Sequence, residues 1–344
     1  MATIKDVARA AGVAPSTVSY VLSGSRKISA ETRVAVQAAI EELGYHPNAG
    51  ARSLRSTRTN VIALALPLPS RGYLPVGGRF TYGLGEAAGE HGYDLLLITA
   101  AGGGSRGPGL ERVARSRLAD AAVLMGVEME DPRIGAMRAL GFPVAVLGRP
   151  ADESAAPWAD LDWEEAAAAS VRTLHDAGHR RICYLATVED DIRSRRSYSV
   201  RGIDGADRIA AELGAQIPVC PSSGDPEELR RRLDALFDAE RPPTALAVQH
   251  PAAIPGILRH LAGRGLQVPR DVSLVAIGNF PEDLGGLDVT RIELPVQEMS
   301  AAVTRLAVAA IEGAGDPGPA ARSSAGHVLI PPRITRGGTV APAP

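Results

Sequence analysis

Side chains that can hydrogen-bond to nucleic acid are concentrated near the start of the chain, at Ser16, Thr17, Ser19 and Tyr20. A serine or threonine hydroxyl can pair with a base edge or a phosphate, and a tyrosine adds an apolar ring that can contact a thymine methyl group. Helical spacing would turn Pro15 and most of these side chains outward. The pattern is therefore typical of a surface that contacts DNA.

Two short helices separated by a glycine would position these side chains. The first helix would bury one apolar face, made of Ile4, Val7, Ala8 and Ala11. Thr3 and Asp6 have the spacing of a capping box at its start. Gly12 permits a tight turn, and Pro15 suits the first position of the next helix. The second helix of this predicted helix-turn-helix would bury Val18, Val21 and Leu22.

A third amphipathic helix follows over about 30–43, with Ser29 as its cap and Gly44 at its end. Amphipathic helix pairs also occur in proteins that bind no DNA, so the helices alone do not indicate DNA binding. The net charge of the segment is a second indication. Residues 1–58 carry eight basic and four acidic side chains, a charge of +4, and the whole chain carries −2, which leaves −6 on the remainder. A basic segment on an acidic body indicates a polyanion partner for that segment.

The pattern changes after residue 60, in a chain of 344 residues that is long enough for two or three domains. Short apolar runs typical of buried strands, the first at 61–67, alternate with amphipathic helical segments. The alternation restarts near residue 163, and a short strand is predicted at 216–219. These features predict two doubly wound lobes around parallel sheets, with a ligand cleft outside the carboxyl ends of the strands.

Few residue patterns support catalysis or metal binding. The glycines at 83–89 lack the spacing of a dinucleotide-binding motif, and the glycine-rich segment 102–107 is typical of a flexible loop. His175 and His179 are four residues apart, but Gly178 between them would end a helix, so they predict a helix terminus rather than a metal pair. We therefore expect no catalytic residue, no metal and no cofactor.

The cysteines and the hydropathy pattern indicate the compartment. Cys183 and Cys220 are isolated in the sequence and predict two reduced, mostly buried thiols rather than a disulfide framework. The N-terminus lacks the apolar core of a signal peptide, and no apolar run reaches the ~18 residues of a membrane span. We therefore expect a cytoplasmic protein without a membrane partner.

The chain resembles the lac repressor/gal repressor family of bacterial transcription regulators along its length. In the N-terminal block the resemblance rests on TIKDVARAAGV at 3–13, TVSYVL at 17–22, GYHPN at 44–48 and ARSL at 51–54. In the body it rests on RLADAAVL at 117–124, LHDAGHRRI at 174–182 and LPVQEM at 294–299. The family's lobes are similar to periplasmic sugar-binding proteins, which implies an α/β body of that kind behind an all-α headpiece.

The resemblance implies roles for the second helix. Pro15, Ser16 and Tyr20 occupy the positions that face bases, and Thr17 and Ser19 occupy positions that contact phosphates. Plain solvation of the helix is the alternative for Thr17 and Ser19. Family members often carry arginine or histidine where Tyr20 stands, so the operator is expected to differ at that base pair.

The resemblance also implies that residues 48–58 form a hinge that folds on DNA. Leu54 would wedge into the minor groove and kink the duplex, with Arg52 and Arg55 beside the groove; the alternative is that Leu54 packs on the body. Two hinges form one pair of wedges, which implies a homodimer on a near-palindromic operator. The implied DNA-binding residues are Thr3, Pro15, Ser16, Thr17, Ser19, Tyr20, Asn48, Ala51, Arg52, Leu54 and Arg55.

The resemblance implies an effector in the cleft, held by planar polar side chains. The corresponding positions are Asp162, Ser199, His250, Gly278 and Asn279. Only Asp162 keeps the expected residue type. Because a site that reads hydroxyls needs matching donors and acceptors, we expect a non-sugar effector or none. Three arginines near Ser199 would either bind an anion or form a solvated loop, namely Arg193, Arg195 and Arg196.

The sequence thus predicts a helix-turn-helix domain at 1–47, a hinge at 48–58 and a two-lobed effector-binding and dimerisation domain at 59–344. The expected function is that of a sequence-specific DNA-binding regulator, a dimeric repressor of double-stranded DNA operators. The alternative is a cytoplasmic small-molecule-binding protein or enzyme with an incidental N-terminal domain. The Pro/Gly/Ala-rich C-terminal segment has no heptads, so no tetramerising coiled coil is expected.

Overall fold

A computed structural model describes residues 2–23, 26, 28–45, 58–67, 74–100, 108–278, 286–313 and 326–344. The chain divides into two compact units, Met1–Thr59 and Asn60–Pro344. The first unit is called the headpiece below and the second the body. The hinge residues Asn48, Ala51, Arg52, Leu54 and Arg55 and the cleft residue Asn279 lie outside the described residues.

The described residues of the headpiece form three helices: α1 at Ile4–Ala10, α2 at Pro15–Ser23 and α3 at Ala30–Leu43. Their core contains Val7, Val18 and Val36, which are fully buried. The capping box is present, because the Thr3 hydroxyl and the Asp6 carboxylate each pair with the other residue's backbone N–H. The prediction that α2 buries Leu22 is wrong, since its side chain is 38% exposed.

The first lobe of the body is built on a wholly parallel sheet. Its strands are β1 at Val61–Pro67, β2 at Asp94–Ala100, β3 at Ala121–Met125, β4 at Val144–Leu147 and β5 at Trp158–Leu161. Its helices are α4 at Leu74–Glu90, α5 at Pro108–Arg115 and α6 at Pro132–Ala139. Buried runs such as 62–65 explain the apolar strands, because helices cover both faces of such a sheet.

The second lobe contains the next helices and most of the remaining strands. The helices are α7 at Trp163–Asp176, α8 at Glu189–Arg193, α9 at Ser197–Leu213, α10 at Pro226–Phe237 and α11 at Ile254–Gly263. The strands are β6 at Ile182–Val188, β7 at Val219–Ser222, β8 at Ala245–Val248, β9 at Ser273–Ile277 and β10 at Arg291–Ile292. The edge strand β7 begins where the predicted strand ends and holds Pro221, which edge strands tolerate.

The chain crosses between the lobes three times. It passes from β5 to α7, then from β10 back to α12 at Val296–Gly313, which packs on the first lobe. It returns from β11 at His327–Ile330 to β12 at Ile334–Thr335. The sheet orders are β11-β5-β4-β3-β1-β2 and β12-β10-β9-β8-β6-β7, and among the described strands only the β10–β12 pair is antiparallel. The predicted two-lobed α/β architecture is confirmed.

The C-terminal segment after β12 is part of the second lobe. Thr339 is fully buried, and its hydroxyl donates to the Leu274 carbonyl at 2.7 Å and accepts from the Thr290 N–H at 2.9 Å. Residues 341 and 343 continue these contacts through their backbones, the first with His179 at 3.1 Å and the second with Ala177 at 2.9 Å. The segment therefore packs against the second lobe instead of projecting away from it.

The substitution Thr339→Val is expected to lower the free energy of unfolding of the body by about 2 kcal/mol. Valine fills the same space but leaves a buried N–H and a buried carbonyl without their partner. Denaturant unfolding would measure the change, with Thr99→Val, at an exposed position of β2, as the control. Equal stability of the two variants would contradict this role of Thr339.

Candidate nucleic-acid interface and interlobe cavity

Helix α2 presents the side chains that the sequence predicted for contact with DNA. Pro15, Ser16 and Tyr20 are exposed, and Thr17 and Ser19 are half-buried. The helix takes this orientation because its opposite face carries Val18, which is buried against the other two helices. A side chain must be exposed to contact a base in the major groove, and the three exposed side chains meet that condition. Their individual contacts with DNA remain predictions.

Positive charge lies on the same unit. Lys5, Arg9, Arg26 and Arg33 are all exposed. The Arg26 guanidinium lies 5.7 Å from the centre of the Tyr20 ring, which places a cation beside a predicted base-facing side chain. Thr3 is exposed as well, but its hydroxyl donates to Asp6 at 2.7 Å, so its structural task is to cap α1.

A cavity of about 1290 Å³ lies between the two lobes of the body. Residues at the carboxyl ends of the strands line it from both sides, such as Gly126 and Gly148 in the first lobe and His250 and Gly278 in the second. This is where doubly wound sheets bind ligands. The volume is ample for a metabolite-sized molecule.

The lobes are joined at one edge of this cavity by backbone hydrogen bonds. Glu128 and Arg196 form an antiparallel bridge, and the Ser197 N–H donates to the Val127 carbonyl at 2.9 Å. The Arg196 guanidinium also donates to the carbonyl of Gly126. The loop after β3 is thereby tied to the start of α9.

Ion pairs make a second connection between the lobes. Glu164 in α7 accepts from Arg149 at 2.6 Å and from Arg201 at 2.8 Å. Arg201 also donates to the carbonyls of Arg149 and Pro150, at 3.2 Å each. Because both arginine side chains are largely buried, these bonds hold the segment after β4 against α9.

Two of the predicted cleft residues line the cavity and two do not. His250 lines it and pairs through Nδ1 with the Ser222 hydroxyl at 3.0 Å, and burial lowers the pKa of His250 to about 4, so the imidazole is neutral. Gly278 lines it with a positive φ of 105°. Ser199 does not line the cavity: it is fully buried, and its hydroxyl forms a hydrogen bond with the Thr187 hydroxyl at 2.5 Å. Asp162 caps α7 by accepting from the Glu165 N–H at 3.0 Å.

The carboxylate that does face the cavity is Asp160, at the end of β5 and 2% exposed. Its Oδ1 accepts from the Leu161 N–H at 2.9 Å and from Trp163 Nε1 at 3.0 Å. Among the described residues, none donates to its Oδ2. Burial raises the pKa of Asp160 to about 7, against the opposing effect of the Trp163 hydrogen bond and of Arg149. Sequence reasoning missed it because the four-residue strand β5 was not predicted.

Two of the three arginines near Ser199 are already paired. Arg193 binds Glu189 at 3.2 Å and Asp190 at 2.8 Å within α8, and these exposed side chains are among those that line the cavity. Arg196 is engaged with Gly126 and lies 3.8 Å from Glu128. Arg195 is exposed and has a positive φ of 54°. These contacts do not favour an anion site.

The substitution Asp160→Asn is expected to stabilise the ligand-free body by about 1–2 kcal/mol at alkaline pH. A carboxylate whose pKa is higher in the folded than in the unfolded state destabilises the fold once it ionises, so the advantage of asparagine grows as the pH rises from about 4 and levels off above about 7. The gain stays modest because the new amide N–H₂ also lacks a partner. Thermal unfolding at several pH values would measure it, and a pH-independent difference would contradict it.

The described part of the chain holds no group of three His, Cys, Asp or Glu side chains arranged for a metal ion. None of its helices has the length and apolar character that a membrane crossing requires. An exposed helix-turn-helix on a basic unit, followed by a two-lobed body with a ligand-sized cavity, defines the class of DNA-binding regulators.

Comparisons with known proteins identify the family. The model described as "Bacterial regulatory proteins, lacI family" matches residues 3–48, and the one described as "Periplasmic binding protein-like domain" matches residues 171–340. The transcriptional regulator AglR of Rhizobium meliloti is 30% identical over 281 residues, which cover 79% of this chain and 76% of that protein. CelR of Thermobifida fusca is 29% identical over 326 residues, 90% of this chain and 92% of that protein. The chain belongs to the lacI family of bacterial transcription regulators.

Solved structures share the fold. The lac repressor dimer bound to operator and the anti-inducer ONPF superposes with a TM-score of 0.80 at 19% identity and covers 99% of both chains. A CelR–cellobiose complex superposes with a TM-score of 0.65 at 24% identity, over 98% of this chain and 100% of that one. Its membership of the lacI family makes the protein a DNA-binding transcription regulator with a helix-turn-helix headpiece, and AglR and CelR are likewise transcriptional regulators.

Proposed function

We propose that this regulator is a homodimeric repressor in the cytoplasm that binds a near-palindromic operator. The observation that carries the proposal is the exposure of Ser16 and Tyr20 on a helix whose opposite face is locked by Val18. In this scheme α2 reads the major groove, and residues 48–58 form the hinge that inserts Leu54 into the minor groove. Two protomers then account for the two half-sites.

We further propose that a small molecule in the interlobe cavity controls DNA binding. The bridge between Glu128 and Arg196 and the pairs made by Glu164 support a closed arrangement of the lobes. A ligand that contacts both lobes would stabilise closure, and closure would change the spacing of the two hinges in the dimer. The ligand is expected not to be a neutral sugar, because Ser199 and Asp162 are engaged in other contacts. Tight binding of cellobiose in calorimetry would contradict this expectation.

Selection from random double-stranded oligonucleotides with the full-length protein, and in parallel with Leu54→Ala, tests the DNA-binding part. We expect the unmodified protein to select a near-palindromic consensus with a preferred sequence at its central base step. The Leu54→Ala variant should lose the preference at that step. Affinity for that site should fall with salt by about 0.9 log units per log unit of salt for each phosphate contacted. Absence of a consensus, with or without cell metabolites, would contradict the proposal.

A further inference from the structure

The wall of the interlobe cavity contains two buried oxygen atoms to which no described residue donates a hydrogen bond. One is Oδ2 of Asp160, and the other is Oε1 of Gln249, whose side chain is 4% exposed. Gln249 is held in place because its Nε2 donates to the Tyr198 carbonyl at 2.7 Å and because Gly202 leaves no Cβ in its way. A buried acceptor without a donor costs about 1–3 kcal/mol, so a ligand that supplies donors would recover that free energy.

The net charge of the cavity wall favours a ligand with a positively charged donor group. The carboxylates among the described lining residues are Asp160, Glu189, Asp190, Asp191, Asp225 and Glu228. The guanidinium groups among them are Arg193, Arg196 and Arg232. Each arginine is already engaged, for example Arg232 with Glu189 at 2.8 Å and with Glu228. The excess of carboxylates favours a cation over an anion.

Aromatic rings form part of the same wall. Trp163 and Tyr198 lie with their ring centres 5.8 Å apart and their planes tilted by 47°, and Phe80 lines the cavity from the first lobe. Trp163 Nε1 donates to Asp160 Oδ1, so this ring is fixed beside the carboxylate. Aromatic faces attract cations and pack against the apolar body of a ligand.

We propose that the interlobe cavity binds an organic cation, namely a primary ammonium compound with an apolar or aromatic body. Both oxygens are covered in this structure, so binding requires a small shift of the cavity wall that exposes them. The ammonium group then donates to Asp160 Oδ2 and Gln249 Oε1, and the body of the ligand packs against Trp163 and Tyr198. The hydroxyls of a neutral sugar would also donate to these two acceptors, so the excess of carboxylates in the wall is the feature that favours a cation. The inference rests on the proposed function in one respect, since it takes the cavity to be the effector site.

A matched series of probes that differ only in the end group tests the charge preference. Calorimetry on the full-length protein, above the pKa of Asp160, would compare 2-phenylethylamine with the neutral 2-phenylethanol and the anionic 3-phenylpropionate. We expect the amine to bind about 10- to 100-fold more tightly than the alcohol, because hydrogen bonds to charged groups are the stronger ones, and the acid to bind most weakly.

Asp160→Asn and Asp94→Asn are the matched variants. Asp94 is exposed at the start of β2 and is absent from the cavity wall. We expect Asp160→Asn to reduce amine binding to the level of the alcohol, and Asp94→Asn to bind as the unmodified protein does. A cooperative thermal transition of Asp160→Asn would show that this variant is folded. Equal binding of the three probes, no amine binding at millimolar concentration, or an amine preference that survives in Asp160→Asn would overturn the inference.

Operator binding separates this inference from the proposed function. If the selected operator is bound but the amine is not preferred, only the ligand class is wrong. If the amine is preferred but changes no operator affinity, the ligand class holds and the effector role of the cavity fails. If no operator is selected, the proposed repressor function fails, and the calorimetric comparison still decides the ligand class.

Discussion

The substitution Gly205→Ala is expected to destabilise the body by about 3 kcal/mol, the upper part of the range for overpacking. Gly205 is buried in α9 where this helix crosses α7. A Cβ at this position would lie 2.1 Å from the Glu164 carbonyl oxygen and 2.6 Å from its Cα. Because both are backbone atoms within a helix, no side-chain rotation can relieve the contact, and the two helices must separate.

The effect should reach the cavity, because Trp163 starts α7 and Tyr198 lies in the first turn of α9. Separation of the helices would also lengthen the pairs that Glu164 makes with Arg149 and Arg201. We therefore expect weaker probe binding together with a lower melting temperature.

The control is Gly85→Ala, in the middle of α4, where an added Cβ has no other atom within 4 Å. Alanine there should be neutral or stabilise the protein by about 0.5–1 kcal/mol, since glycine is the poorer helix former. Denaturant unfolding of both variants would compare the two sites. Similar stability of the two variants would show that α7 and α9 do not cross as closely as described.

The substitution Val18→Asp is expected to abolish operator binding, with a loss of at least about 100-fold. Val18 is fully buried among Val7 and Val36 at the centre of the core formed by α1, α2 and α3. An unpaired carboxylate there costs several kcal/mol, and a unit of this size has only a few kcal/mol of stability. The headpiece should therefore unfold, while the body, as a separate compact unit, should keep its melting temperature.

Val34→Asp is the matched control, because it makes the same chemical change on α3 at a side chain that is 69% exposed. It adds the same negative charge to the headpiece, so any loss caused by repulsion from DNA appears in both variants. Fluorescence anisotropy with the selected operator would measure both affinities. Equal affinities would show that the packing of α2 does not position the base-reading side chains.

Local signals in the sequence were sufficient for the headpiece helices. The Thr3–Asp6 capping box, the positive φ of Gly12 and the position of Pro15 each depend on neighbours within a few residues. Leu22 was predicted wrongly for a non-local reason. It lies next to Val21, and only the packing of the other helices determines how wide the buried face of α2 is.

In the body, too, local sequence patterns predicted some features and tertiary packing decided the others. Long apolar runs predicted β1 and the two-lobed α/β architecture, because strands covered on both faces must be apolar throughout. The short strands β5 and β11 were missed, since pairing with strands distant in sequence defines them. The register at β5 also decides which aspartate faces the cavity: Asp160 lies in the strand, whereas Asp162 lies beyond its end and caps α7.

The sequence by itself determined the family, the DNA-binding class and the order of the elements, because these follow from local motifs and hydrophobic periodicity. The tertiary structure decided the chemistry of the cavity. It joined Arg196 to the Gly126 carbonyl of the other lobe and left Asp160 Oδ2 and Gln249 Oε1 without a donor among the described residues. Whether a polar group in the cavity has a hydrogen-bond partner depends on the residues that pack against it, many of them in the other lobe. The spacing of residues along the chain cannot predict these contacts.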